Sequence, residues 1–81
     1  MKIIENKIKK IISEQLGIEI KNINNDSYFV KDLGADSLDM IELIMSIEEK
    51  FNIEISDKEA QNMNCINKIV EYLNKIKYVK T

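Results

Sequence analysis

The chain has 81 residues, 12 of them lysine and 14 acidic, with no histidine and one cysteine. That length fits one small domain, and 44% hydrophobic with 32% charged residues excludes a disordered chain. An internal disulfide is impossible with Cys65 alone, and no run nears the roughly 20 apolar residues of a membrane span, so no membrane insertion is expected. The opening MKIIENKIKKII is charged throughout and lacks the continuous apolar run of a signal peptide. With the lone thiol, this favours a reducing compartment. The absence of Pro and the abundance of Ile, Leu, Lys and Glu point to helices.

The first element is a helix over 3–16, marked by Ile4, Ile8, Ile11, Ile12 and Leu16 at helical spacing, with Gly17 as the residue after its end. About 20 residues without a clean period follow. Ile18, Ile20, Ile23, Tyr28, Phe29 and Leu33 are expected to pin this loop to the core. A loop that long in so small a domain points to function. A second helix is predicted over 37–51, capped by Asp36 and ended by Asn52. Ile53 and Ile55 lie in a short connection. Ser56-Asp57-Lys58-Glu59 fits a capping box opening a short helix over 57–62. Asn64 is the expected cap of a last helix over 65–76, with Ile66, Ile69, Val70, Leu73 and Ile76 inward. The tail 77–81 is expected to fray. The predicted fold is an all-α bundle of three main helices and a short one, with a long loop after the first.

Charge is segregated along this plan. Residues 1–25 have net charge +2 and residues 61–81 have +3, while residues 26–60 carry three lysines against ten acids, net −7. An acidic middle is not a nucleic-acid footprint and predicts a basic protein partner or a bound cation. On a helical wheel, Leu43, Ile47, Met40, Phe51 and Ile44 share the core face of the second helix. Glu49, Glu42, Ser46, Asp39 and Lys50 share the solvent face, with Ile41 and Glu48 on a flank. Leu38 and Met45 fall away from the core beside the acids, as in a docking ridge; the alternative is an acidic face that only aids solubility.

Ser37 opens this helix between Asp36 and Asp39. A nucleophilic serine needs a base; the chain lacks the usual histidine and every lysine reads as exposed, so the residues argue against Ser-based hydrolysis. Asp32, Asp36 and Asp39 do not follow a calcium loop, because Gly34 is misplaced. Two readings of Ser37 remain. It is a plain helix-start serine, or a hydroxyl displayed for another enzyme to modify at an end that suits a phosphate-bearing group.

The stretch DLGADSLDMIELIMSIEEKFNIEISDKEA, and above all DLGADSLD, resembles the signature of acyl carrier proteins of dissociated (type II) fatty acid synthesis. Weaker similarity runs from Ile8 through Tyr72. The resemblance implies one acyl-carrier domain over 1–81, not an enzyme. Ser37 would carry 4′-phosphopantetheine, transferred from coenzyme A by a phosphopantetheinyl transferase, and growing fatty acyl chains would ride on the arm as thioesters. Fatty acid synthesis enzymes with basic patches would dock on Asp36, Leu38, Asp39, Glu42, Met45, Glu48 and Glu49. An acyl-chain cavity would be lined by Phe29, Met40, Ile47, Phe51, Ile55, Ala60, Met63, Ile69 and Tyr72; the plain alternative for these positions is ordinary core. A cytoplasmic monomer is expected, or an organellar protein if the chain is a processed form. Ser56 and Met40 depart from the family, which commonly has proline and a small residue there. The rival readings are a carrier for polyketide, amino-acyl or lipid A-type acyl groups, an unmodified acidic helical adaptor, and a small calcium-binding protein.

Overall fold

Isoleucines four apart stack on one face of a helix, and Ile4, Ile8 and Ile12 are buried in this way along α1, Lys2–Leu16. The computed structural model describes residues 2–76; the expectation for the tail 77–81 falls outside the described residues. The other elements are a 3-10 turn at Ile20–Asn22, which no sequence period had marked, α2 at Ser37–Phe51, α3 at Asp57–Gln61 and α4 at Ile66–Lys75. Among the described residues there is no strand, and the all-α prediction holds. Helix α1 packs on both α2 and α4. The core between them takes Leu43, Ile47 and Phe51 from α2 and Ile66, Ile69 and Leu73 from α4.

The helix ends follow local chemistry where that chemistry is strong. Gly17 follows α1 with φ +71°, and its N–H donates to the Ser13 carbonyl at 2.8 Å. Asn52 ends α2 in the left-handed region at φ 56°, tolerable for Asn, and the amides of Asn52 and Ile53 both donate to the Glu48 carbonyl. Ser56 caps α3, its Oγ accepting from the Glu59 amide at 3.2 Å. The reciprocal half of the expected box is replaced: the Glu59 carboxylate meets Lys75 Nζ at 3.5 Å, tying α3 to α4.

Three expectations need correction. The residue capping α4 is Cys65, in extended conformation and with no side-chain cap, rather than Asn64. Asn64 instead gives its carbonyl to the Phe29 amide at 2.9 Å, and the early α4 amide of Asn67 is satisfied by the Asn25 carbonyl at 3.1 Å. Asp26 also accepts from the Asn67 side chain. Ile76 lies past the last turn of α4 and is exposed, because the helix ends before its period brings that position inward. In the long loop, Ile23 and Phe29 are buried and Ile18 and Leu33 are packed on the core, but Ile20 and Tyr28 face solvent.

Phe29 is the deepest of the loop anchors, fully buried. Its amide bonds to Asn64 and its carbonyl receives the Ala35 amide at 2.9 Å, so both directions of the chain are fixed at this residue. Between these bonds the chain closes a compact turn. Tyr28 O accepts from Asp32 and Leu33, Val30 O accepts from Gly34, and the Asp32 carboxylate accepts from the Tyr28 amide. Phe29→Ala is expected to cost about 3–5 kcal/mol in urea unfolding, against under about 0.5 kcal/mol for Ile20→Ala at its exposed site.

Candidate functional site

Ser37 is exposed as the first residue of α2, where Ala35 anchors the incoming chain in the core and Asp36 turns it into the helix. Asp36 and Asp39 form a complete capping box. The Asp39 amide donates to Asp36 Oδ1 at 2.8 Å, and the Asp36 amide donates to Asp39 Oδ2 at 3.2 Å. Both carboxylates that flank the serine in sequence are therefore occupied with backbone. The Ser37 hydroxyl engages no other described residue. It stands at a helix amino end, where the dipole and the unused first-turn amides favour a phosphate.

Ser37 also stands on the rim of a groove of about 1050 Å³. One wall is α2, with Met40, Ile44 and Glu48. The loop contributes Phe29, Val30 and Ala35, and the far wall is made by Ile55, Asp57, Ala60 and Met63. The lining is largely apolar, and the groove begins beside a free hydroxyl. Of the nine positions expected to line a cavity, Phe29, Met40, Ile55, Ala60 and Met63 meet here. Ile47, Phe51 and Ile69 are instead buried in the interhelical core, and Tyr72 packs against that core with its hydroxyl donating to the Glu54 carbonyl at 3.3 Å. Ile47 and Phe51 belong to the buried cluster that α2 shares with α1 and α4.

The outward side of α2 carries Leu38, Ile41 and Met45, 62%, 57% and 60% exposed. Residues spaced by three and four make one continuous apolar ridge. Ile41 had been placed on a flank of the wheel; its exposure puts it in the middle of the ridge. Val30 and Tyr28 face solvent on the loop side of the same groove. No period marks loop residues, so only the three-dimensional turn at 28–35 brings these two to the site. Beside the ridge, Glu49 is free of ion pairs among the described residues, and Glu42 accepts from the Gln15 side chain at 2.6 Å. Glu48 is half-buried, and its carboxylate is turned away from the ridge to the Ile55 amide, 2.7 Å away. Among the described residues no group of three or more His, Cys, Asp or Glu side chains is arranged to hold a metal, and no helix is long and apolar enough to cross a membrane.

The chain thus presents an apolar groove that starts beside an exposed hydroxyl at a helix amino end. Comparison with known proteins gives the family. The family model described as a phosphopantetheine attachment site matches residues 6–73. The acyl carrier protein of Buchnera aphidicola subsp. Acyrthosiphon pisum is 55% identical over 75 residues, 93% of this chain and 94% of that protein. The one from Buchnera aphidicola subsp. Schizaphis graminum is 54% identical over 71 residues, 88% of this chain and 90% of that protein. A solved structure described as a candidate acyl carrier protein from Mycobacterium tuberculosis superimposes with a TM-score of 0.81 at 30% identity, covering 90% of this chain and 97% of that one.

The chain belongs to the phosphopantetheine-attachment family, and within it to the acyl carrier proteins. It is a carrier and not an enzyme: acyl chains travel on a covalently attached 4′-phosphopantetheine. Its partners are those acyl chains and the enzymes of fatty acid biosynthesis.

Removing one half of the box tests the capping geometry. Asp36→Ala is expected to lower unfolding free energy by about 1 kcal/mol, read from denaturant midpoints at unchanged slope.

Proposed function

We propose that Ser37 is the attachment residue and that a phosphopantetheinyl transferase loads it from coenzyme A. In that step Ser37 Oγ forms a phosphodiester bond to the arm, 3′,5′-ADP leaves, and the serine proton passes to the transferase. The observation that carries this is the placement of one exposed, unengaged hydroxyl at the amino end of α2 and at the rim of the groove. The residues suit the group: first-turn amides face the phosphate, and the apolar groove receives what the arm holds. When bound, the arm supplies a thiol on which acyl groups are held as thioesters. The groove lined by Phe29, Met40, Ile55, Ala60 and Met63 is the shelter for the apolar chain.

Asp36, Leu38, Asp39, Glu42, Met45 and Glu49 make the partner face, extended by Ile41, in a stretch of net charge −7; Glu48, expected on that face, instead has its carboxylate on the Ile55 amide. Opposite charge on a partner speeds encounter, while the apolar ridge gives the contact its desolvated centre. Gln15 holds the Glu42 carboxylate in place before any partner arrives. The carrier works as a single-domain monomer in the cytoplasm.

Incubation of apo protein with coenzyme A, Mg²⁺ and a broad-specificity transferase is expected to add the mass of one phosphopantetheine, and Ser37→Ala to add none. No gain on folded, unmodified wild-type protein would remove the assignment of Ser37. Charge reversal tests the partner face separately. Glu42→Lys and Glu49→Lys are each expected to lower transferase or synthase kcat/KM by about tenfold with little change in Tm, the effect shrinking as salt rises. Unchanged turnover in both would take the acidic strip out of recognition.

A further inference from the structure

The far wall of the groove is the least securely built part of the bundle. Its helix, α3, has five residues and none is buried. It hangs between Ile55 and Met63, which are buried at either end, and is joined to the remainder by three polar ties. Lys75 with Glu59, at 3.5 Å, is an exposed ion pair and contributes little. Tyr72 Oη to the Glu54 carbonyl is long at 3.3 Å. The third is different in kind: the Glu48 carboxylate accepts the Ile55 amide at 2.7 Å in a part-buried setting, the shortest of the three and the only one from a carboxylate to backbone.

Glu48 has a second hold on the same segment. Its main-chain carbonyl receives the amides of Asn52 and Ile53, which sets the left-handed turn out of α2. One residue thus accepts three amides from the first four residues after the helix, two through its backbone and one through its side chain. The backbone pair survives any substitution at 48. The carboxylate is the polar tie on the Ile55 amide at the start of α3, across the groove from Met40 and Ile44, beside the apolar packing of the Ile55 side chain.

We propose that Glu48 is the positioning residue for this wall, a latch whose carboxylate holds α3 against α2 and so sets how much of an acyl chain the groove encloses. The part concerning the chain rests on the groove reading above. Without the carboxylate, the Ile55 amide keeps its semi-buried site and loses its acceptor, and the wall swings on its two apolar anchors to hydrate that amide.

Amide hydrogen exchange on the unloaded, ¹⁵N-labelled chain tests the latch without any partner. Glu48→Ala is expected to speed exchange at Ile55 by about tenfold, the equivalent of one net hydrogen bond, while the Leu43 and Ile69 amides keep their rates. Glu48→Gln removes the charge but leaves an acceptor, so its Ile55 rate should fall between wild type and Glu48→Ala; it also serves if Glu48→Ala does not fold. Unchanged Ile55 exchange in the folded variants, or an equal acceleration at all three amides, overturns the proposal. Wild type and Glu48→Ala are then loaded with acyl chains of six to sixteen carbons, and hydroxylamine cleavage of each thioester is timed. Several-fold faster cleavage in Glu48→Ala, for the chains wild type shields best, supports the latch as a determinant of chain enclosure. A loosened Ile55 with the same chain-length-dependent cleavage as wild type overturns that role and leaves the groove; cleavage that does not vary with chain length in wild type overturns the groove as shelter. Failure of wild type to load strikes the Ser37 assignment and not the exchange result.

Discussion

Phe29 is the constraint on which the site depends. A single ring from the middle of a long loop is buried among three helices, and the backbone on both sides of it is bonded, to Asn64 ahead of α4 and to Ala35 ahead of α2. Two consequences follow from one insertion. The loop acquires a fixed shape without regular structure, and the chain arrives at Asp36 in the direction that lets the capping box form. The exposed hydroxyl of Ser37 stands where it does because something eight residues earlier is buried. Functional groups on loops gain their precision from such anchors, since the loop has no ladder of its own.

The division of labour on α2 rests on the same economy. One helix gives Leu43, Ile47 and Phe51 to the core, Met40 and Ile44 to the groove, and Leu38, Ile41 and Met45 to solvent. A helix with apolar residues on three sides is ordinarily buried all round. Here the carboxylates of Glu42 and Glu49 and the net −7 of the surrounding stretch border the outward ridge with like charge, which opposes self-association.

How much of this was legible follows from where the information is local. The bounds of α1 and α2 could be read from Ile4, Ile8, Ile12 and from Asp36 with Asn52, because period and caps lie within a few residues of each other. The exposure of Leu38 and Met45 was equally visible on the wheel. The identity of Cys65 as the start of α4 was not, since Asn64 is the better cap by type and is drawn off by Phe29 across 35 residues of sequence. Likewise Ile47 and Tyr72 look like any other apolar positions in a chain; only the packing of α1 against α2 and α4 decides that they fill the core rather than the groove. Tyr28 and Val30 were invisible because a turn, and no period, brings them to the rim. The role of Glu48 was hidden for a further reason: a glutamate on a helix flank reads as solvated, and nothing in its own neighbourhood shows that it reaches an amide seven residues away.

The amino end of α4 has a meaning for how the molecule assembles. That helix carries no starting signal of its own: Cys65 offers no side-chain cap, and the early amide at Asn67 finds its acceptor in Asn25, far back along the chain. Helix nucleation is costly, and ten residues in isolation do not sustain a helix in water. In the folded molecule the last helix therefore leans on the loop for its first turn, and the loop leans on the segment ahead of that helix through Phe29 and Asn64. The start of α4 and the approach of the chain to α2 share one set of bonds, so a change at either end is felt at the other.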